Sequence, residues 1–275
     1  MISMVSAVYN KAKLLERVLA SVLLQKHKCD WEIVLINDGS TDNIMEIFDF
    51  YRHKMSLRMF NTFRPGYLSP AWPTNCAVKK AKGEYILLGS PDVIHYGDTF
   101  DFMHLLLEKQ DILVGATIYD LTALDNKWLK NHNIWRNYLS QLKRFNKRRQ
   151  LLGPNENAKY RKGYFWIGGC RKESFLRVGG MDESFIYPGA EDKEFISRCN
   201  AFGIKPECVW RISKNDPIKG YHQYHKRDWL HSSYKEKLQR THEQYAESLQ
   251  RLKTKLIPAN YGKEWGILSE ENEVK

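Results

Sequence analysis

Apolar and polar positions alternate along the first half of the chain in blocks that read strand, helix, strand, helix. The segment ISMVSAV (2–8) is apolar and rich in β-branched residues, as a strand covered on both faces must be. KAKLLERVLASVLLQ (11–25) then places Leu14, Leu15, Val18, Leu19, Val22 and Leu23 at helical spacing on one face. WEIVLI (31–36) repeats the strand signature, and DNIMEIFDFY (42–51) a helix that opens on an acidic cap, Asp42. LRMF (57–60), EYILL (84–88) and DILVGA (111–116) are further strands. Helices at 73–83, with proline at the start and glycine past the end, and around 98–109 separate them. Such alternation with short connections predicts an α/β fold, a mainly parallel twisted sheet with helices on both faces.

The rhythm breaks over about 117–163, a polar, basic, aromatic-studded stretch with a GPNEN turn at 153–157, which reads as an insertion or lid. FWIGG (165–169), helices near 171–178 and 191–202, and a strand PECVWRI (206–212) resume the pattern. A charged, weakly amphipathic helix from Trp229 to Leu256 forms a C-terminal helical tail. The division that follows is an α/β domain over 1–215, carrying the insertion, and a mostly helical extension over 216–275.

Composition narrows the class. With 43% hydrophobic and 27% charged residues among 275, the chain can build an ordinary core, which excludes wholesale disorder. No apolar run reaches the length of a membrane-spanning helix, and no signal-peptide pattern opens the sequence. Five cysteines without CxxC spacing suit a reduced, cytoplasmic chain. The net charge of +11 is local: eleven basic residues and one acid lie between Lys127 and Lys162. Such a patch favours a polyanion, whether nucleic acid, an anionic membrane surface or a phosphorylated substrate.

Ligands of open α/β sheets sit beyond the carboxyl ends of the strands. There the sequence offers Tyr9-Asn10, then NDGSTD (37–42), then GSPD (89–92), three polar clusters that should meet on one rim. Taken alone, NDGSTD is equally a strand-to-helix turn.

Together these segments resemble the family 2 glycosyltransferases, whose fold is GT-A, a Rossmann-like sheet. The resemblance rests on Tyr9-Asn10, Ser21-Val22-Leu23-Leu24-Gln25 and Asn37-Asp38-Gly39-Ser40-Thr41-Asp42. It continues through Arg64, Gly66, Asn75 and Ala81-Lys82-Gly83-Glu84-Tyr85-Ile86 to Val178-Gly179-Gly180-Met181-Asp182-Glu183, Glu191-Asp192 and Arg198. It implies a nucleotide-sugar donor, UDP-linked, held by Val8, Tyr9, Asn10, Asp38, Gly39, Arg64, Asn75, Ser90 and Asp92. A carboxylate can accept a base N–H, and a guanidinium suits a diphosphate. The resemblance makes Asp192 the catalytic base of an inverting transfer, with Glu191 beside it, although three acids in four residues also make a good helix start. Trp166, Gly168 and Gly169 fall where relatives contact sugars.

The family's Asp-x-Asp motif is Ser90-Pro91-Asp92 here. Asp92 remains as a ligand for Mn²⁺ or Mg²⁺, and the tail segment KGYHQYHKRDW (219–229) offers His222 and His225 as further ligands.

The implied activity is transfer of a hexosyl or pentosyl group to an acceptor hydroxyl on a glycan or glycoconjugate. Within the basic stretch, Arg144, Lys147, Arg148 and Arg149 form the densest run and the candidate polyanion-binding surface. That run keeps two alternatives open: glycosylation of a hydroxylated base in DNA, and peripheral contact with an anionic membrane. The loss of the first motif aspartate at Ser90 keeps a third, a catalytically silent nucleotide-sugar or nucleic-acid binding module. A nucleotidyltransferase shares the sheet pattern, but no glycine-rich triphosphate loop follows the first strand.

Overall fold

The computed structural model describes residues 1–131, 138–152, 163–225, 233–269 and 272–275. The expected turn at 153–157, the residues Trp135, Arg136, Lys159, Arg161 and Lys162, and the start of the tail helix at Trp229 lie outside them.

The parallel core follows the apolar runs. β1 (Ile2–Val8) and β2 (Trp31–Asp38) are almost wholly buried and pair in parallel, with Val8 opposite Asn37. β3 (Leu57–Thr62) flanks β2, and β4 (Tyr85–Gly89) flanks β1, both parallel. β6 (Ile112–Gly115) pairs in parallel with β10 (Lys205–Cys208). Between these two groups runs β9 (Ile167–Arg171), antiparallel to both β4 and β6. The main sheet therefore has seven strands in the order β10-β6-β9-β4-β1-β2-β3. This is the mainly parallel sheet that the alternation predicts.

Helices cover it by burying their apolar stripes. α1 (Ala12–Leu23) buries Leu15, Val18, Leu19 and Val22, and α2 (Ile44–Arg52) buries Ile44, Phe48 and Tyr51. α3 (Ala71–Lys80) lies on β1 and β2, and α4 (Thr99–Lys109) on β4 and β9.

A second, four-stranded sheet was not legible in the sequence. Its order is β5-β11-β7-β8, from β5 (Val93–Tyr96), β7 (Thr117–Asp120), β8 (Gln150–Leu152) and β11 (Lys219–His222). The basic stretch is thus not a bare lid. It supplies β7 and β8 and the helices α5 (Ala123–Asn131) and α6 (Tyr138–Lys143), and buried Leu129, Leu142 and Phe145 attach it to the core. Two boundaries also move. The strand read at 206–212 ends at Cys208, where α9 (Val209–Ile212) begins. The strand read at 165–169 starts at Ile167, because Gly163–Phe165 form a 3-10 turn.

Two later helices, α7 (Lys172–Arg177) and α8 (Glu191–Ala201), precede the tail helix α10 (Ser233–Thr254). α10 packs along α8, with Ser248 Oγ donating to Glu194 Oε1 at 2.8 Å and Ser197 meeting the Tyr245 hydroxyl at 3.1 Å. Residues beyond 215 are built into the same body. β11 enters the second sheet, and Glu273 pairs with Arg58 of β3 at 2.7 Å.

Candidate active site

Parallel pairing of β1, β2 and β4 brings their carboxyl ends to one rim. The two loops there are stitched together. Asn10, in the left-handed region with φ 49°, accepts the Thr41 amide on Oδ1 at 2.8 Å. Ser40 Oγ accepts the Asn10 amide at 3.0 Å, and Asn37 Oδ1 accepts the Ser40 amide at 3.1 Å. Asp42 does not cap α2. Its Oδ2 accepts the amide of Ala12 at 2.8 Å, satisfying a first-turn donor of α1, so the loop braces the neighbouring helix.

This stitching leaves Asp38 in the middle with its carboxylate uncommitted among the described residues. Burial pushes its pKa up to about 6. Gly39 beside it has φ +74°, and a Cβ there would stand 2.5 Å from the Phe63 ring. Tyr9 and Phe63, 56% and 68% exposed, follow β1 and β3, the two strands that flank β2. Two exposed aromatic side chains at the ends of the strands on either side of a half-buried carboxylate offer faces and an acceptor suited to a nucleobase. Phe63 escaped the sequence reading; its signal is an exposed aromatic one residue past a strand end.

Arg64 and Asn75 take different places. Arg64 lies over the Tyr67 ring at 4.9 Å and the Trp72 ring at 5.5 Å. Asn75, expected on the donor, is fully buried in α3. Its side chain accepts the Met181 amide at 2.8 Å and donates to Met181 O and Glu183 Oε1, both at 2.9 Å. It fastens the Gly179–Glu183 loop from behind.

At the end of β4, Ser90, Asp92 and three residues from afar converge. Ser90 Oγ donates to Asp92 Oδ1 at 2.5 Å, and Lys11 Nζ approaches Oδ2 at 3.3 Å. His225 Nε2 lies 3.1 Å from Oδ2, and His222 Nε2 3.9 Å from Oδ1. Buried Gln223 between the histidines bonds Arg17 and the Leu14 carbonyl of α1, while its amide donates to the Asp92 carbonyl at 2.9 Å. That side chain fixes the histidine-bearing segment onto α1 and Asp92. Burial alone would raise the Asp92 carboxyl, but His225, His222, Lys11 and Ser90 outweigh it and hold the group well below the usual carboxylate range.

Among the described residues, Asp92, His222 and His225 form the one group of three able to hold a metal ion, their ligand atoms within 4.8 Å of one another. Two imidazoles and a carboxylate fit Mn²⁺ better than Mg²⁺, which prefers oxygen donors. The structure thus brings together the three expected metal ligands.

From this cluster a cleft of about 220 Å³ runs to α8, lined by Ser90, Pro91, Trp166, Glu191 and Asp192 among others. Trp166 stacks on His222, rings 5.4 Å apart and 20° from parallel. Burial, then the adjacent Asp192, pushes Glu191 up to about 7, and its Oε2 accepts the Gly189 amide at 2.6 Å. Gly168 and Gly169 stand apart from the cleft. They lie within β9, where a Cβ on Gly168 would meet the Tyr164 carbonyl oxygen at 1.6 Å. Close packing explains these glycines without a sugar.

The basic run is divided in its roles. Arg148 pairs with buried Asp125 at 2.6 Å, and Arg149 pairs with Asp120. Arg144 lies over Trp128 at 4.1 Å, and Lys127, Lys130, Lys143 and Lys147 are exposed. Two of the four candidate polyanion contacts are therefore engaged within the fold. Among the described residues, no helix is long and apolar enough to cross a membrane.

Comparison with known proteins bears on the family and the fold. Staphylococcus aureus TarS, a poly(ribitol-phosphate) β-N-acetylglucosaminyltransferase, is 32% identical over 91 residues, 33% of this chain and 16% of that one. Its 1–349 structure in complex with UDP-GlcNAc superposes with a TM-score of 0.61 at 17% identity, covering 90% of this chain and 66% of that one. The chondroitin synthase of Pasteurella multocida is 27% identical over 257 residues, 81% of this chain and 24% of that one. A mannosyltransferase from Pyrobaculum calidifontis, solved with GDP-Man and Mn²⁺, gives a TM-score of 0.58 at 15% identity, covering 90% of this chain and 64% of that one. The chain spans about a fifth of the length of the first curated relatives it matches. The architecture is the GT-A fold. Residues 3–168 match the sequence model described as glycosyl transferase family 2, and the chain belongs to that family.

Proposed function

We propose that this glycosyltransferase moves a hexosyl group from a UDP-linked sugar to a hydroxyl of an anionic glycan or glycoconjugate, with inversion at the anomeric carbon. The observation that carries this reading is the single cleft that joins Ser90 and Pro91, next to Asp92, with Glu191 and Asp192.

Asp38 would accept the N–H of uracil between the Tyr9 and Phe63 rings, so that the base is read by one carboxylate and two faces. Asp92, His222 and His225 would hold the divalent ion; when bound, the ion supplies positive charge to the leaving diphosphate. Lys11 adds a second cation at the same place. Asp192 takes the proton of the acceptor hydroxyl as its oxygen forms the new bond to the anomeric carbon. The bond from that carbon to the diphosphate oxygen breaks, and its electron pair leaves with UDP. Trp166 offers an indole face to the sugar while its own position is set by His222. Glu191, raised towards neutrality, holds a proton that lessens repulsion beside Asp192.

The exposed cations Lys127, Lys130, Lys143, Arg144 and Lys147 favour an acceptor that carries negative charge. Relatives named for poly(ribitol-phosphate) and chondroitin fit that chemistry.

A thermal-shift and UDP-release screen over nucleotide-sugars with Mn²⁺, Mg²⁺ or EDTA tests the reading. A metal-dependent shift with a uridine diphosphate sugar, and UDP release that rises with an anionic glycan, is the expected result. Stabilisation by no nucleotide, or turnover unaffected by EDTA, overturns it.

A further inference from the structure

The geometry points to Asp120 as a positioning residue for the metal centre, held in place by Arg149 of the basic segment. The inference rests on Asp92, His222 and His225 being the metal ligands.

Asp120 ends β7 and stands opposite His222 in the parallel ladder with β11. Its Oδ1 lies 3.0 Å from His222 Nδ1, and its Oδ2 takes the Arg149 guanidinium. The Asp120 amide donates to the Arg149 carbonyl at 2.8 Å, so the two residues are tied through both main chain and side chain. Asp120 is thereby held on three sides, and an arginine partner keeps it an acceptor.

An ionised carboxylate at Nδ1 requires that nitrogen to carry the proton. The lone pair of a neutral His222 then sits on Nε2, the atom that faces Asp92. Trp166 stacks on one face of the ring and the Asp120 carboxylate meets its Nδ1 edge, while the Leu121 amide holds the His222 main chain by donating to its carbonyl at 2.9 Å. A carboxylate behind a ligating imidazole fixes the tautomer and raises ligand basicity. Asp120 sits outside the cluster of three, so its action runs through His222.

This gives Arg149 a role distinct from binding an anionic acceptor. Its guanidinium, though largely exposed, is paired with the residue that orients a metal ligand.

The experiment uses the full chain labelled with ¹⁵N-histidine, metal-free at pH 8, with Mn²⁺ alone as the titrant. Long-range ¹H–¹⁵N spectra should report His222 as the Nδ1–H tautomer in the wild type. Asp120→Ala should shift it towards Nε2–H and weaken Mn²⁺ binding about 10- to 100-fold. Asp120→Asn, which keeps an acceptor and the side-chain shape, should preserve the tautomer and most of the affinity. Arg149→Met should give a smaller loss in the same direction. An Asp120→Ala protein with wild-type tautomer and wild-type Mn²⁺ affinity overturns the inference; if that variant does not fold, loss of the Nδ1–H tautomer in Asp120→Asn does so. Asp92→Ala is the control for the underlying reading. Mn²⁺ binding that survives it moves the metal elsewhere and fails the ligand assignment, whatever Asp120 does.

Discussion

Lys11 stands at the entrance to α1 and reaches Asp92 across the rim, its Nζ 3.3 Å from Oδ2. In the metal-free protein this ammonium neutralises the carboxylate that an ion would otherwise meet. Lys11→Met should therefore bind Mn²⁺ alone more tightly, since a like charge is gone. The same variant should bind UDP about tenfold more weakly, a loss of about 1.4 kcal/mol. Calorimetric titration of each ligand separately checks both signs, and unchanged UDP affinity would remove Lys11 from the diphosphate.

Asp192→Asn keeps the size and the helix start but removes the proton acceptor. Transfer should fall about 10²- to 10⁴-fold while UDP affinity stays within a factor of two, about the spread expected of a group outside the donor site. Single-turnover kinetics beside equilibrium UDP binding separates the two, and near-wild-type turnover would assign the base to another residue.

Burial and Asp192 push Glu191 up to about 7, against an ordinary value of 4.5. Between those values the folded state holds a proton that the unfolded chain has released, so stability falls as pH rises through that window. Glu191→Gln removes the penalty. Its melting temperature should exceed that of the wild type at pH 8, and the difference should vanish below about pH 4.5. A gap that is independent of pH would mean that Glu191 ionises normally.

Asp38 gives a second pH signature through the same logic. Its carboxyl is raised to about 6 by burial, so a nucleobase N–H loses a charged acceptor and keeps only a neutral carbonyl oxygen as pH falls below that value. Affinity for uridine should decline between pH 7 and pH 5, and Asp38→Asn should bind weakly and without pH dependence. Unchanged uridine affinity in that variant would separate Asp38 from the base.

Asn75 is predicted to matter for stability rather than for donor contact. Asn75→Ala strands the buried Met181 amide, removes one of the donors to Glu183 Oε1 while the Gly266 amide remains, and should cost about 3 kcal/mol. Denaturant unfolding measures that loss. Loss of UDP binding with unchanged stability would return Asn75 to the donor.

Local sequence carried the strand ends, because the rim residues Tyr9, Asn10, Asp38 and Asp92 each lie within a few positions of the end of an apolar run. It also carried the mainly parallel character of the sheet, and it pointed to His222 and His225 by resemblance. It did not carry Asp120, Gln223, Lys11 or Phe63. Asp120 meets His222 only because β7 and β11 pair in parallel across a hundred positions, and parallel pairing leaves no turn between its partners to read. Lys11 and Gln223 belong to an ordinary helix start and an ordinary polar loop until the fold brings them to Asp92 and α1. Asp42 misled because a capping residue was assigned to the nearest helix; the free amides of α1 lay closer. Gly168 misled because a glycine pair looks the same whether a ligand or a carbonyl occupies the vacant Cβ position.

Placing His222 at the end of β11, with His225 just beyond it, has a consequence for how the protein is made. The rim is built from β1, β2 and β4, all encoded before position 90, whereas the candidate metal ligands come from position 92 and from positions 222 and 225. A ribosome therefore extrudes the rim before the imidazoles, and a nascent chain that has emerged only as far as β8 holds one ligand of the three.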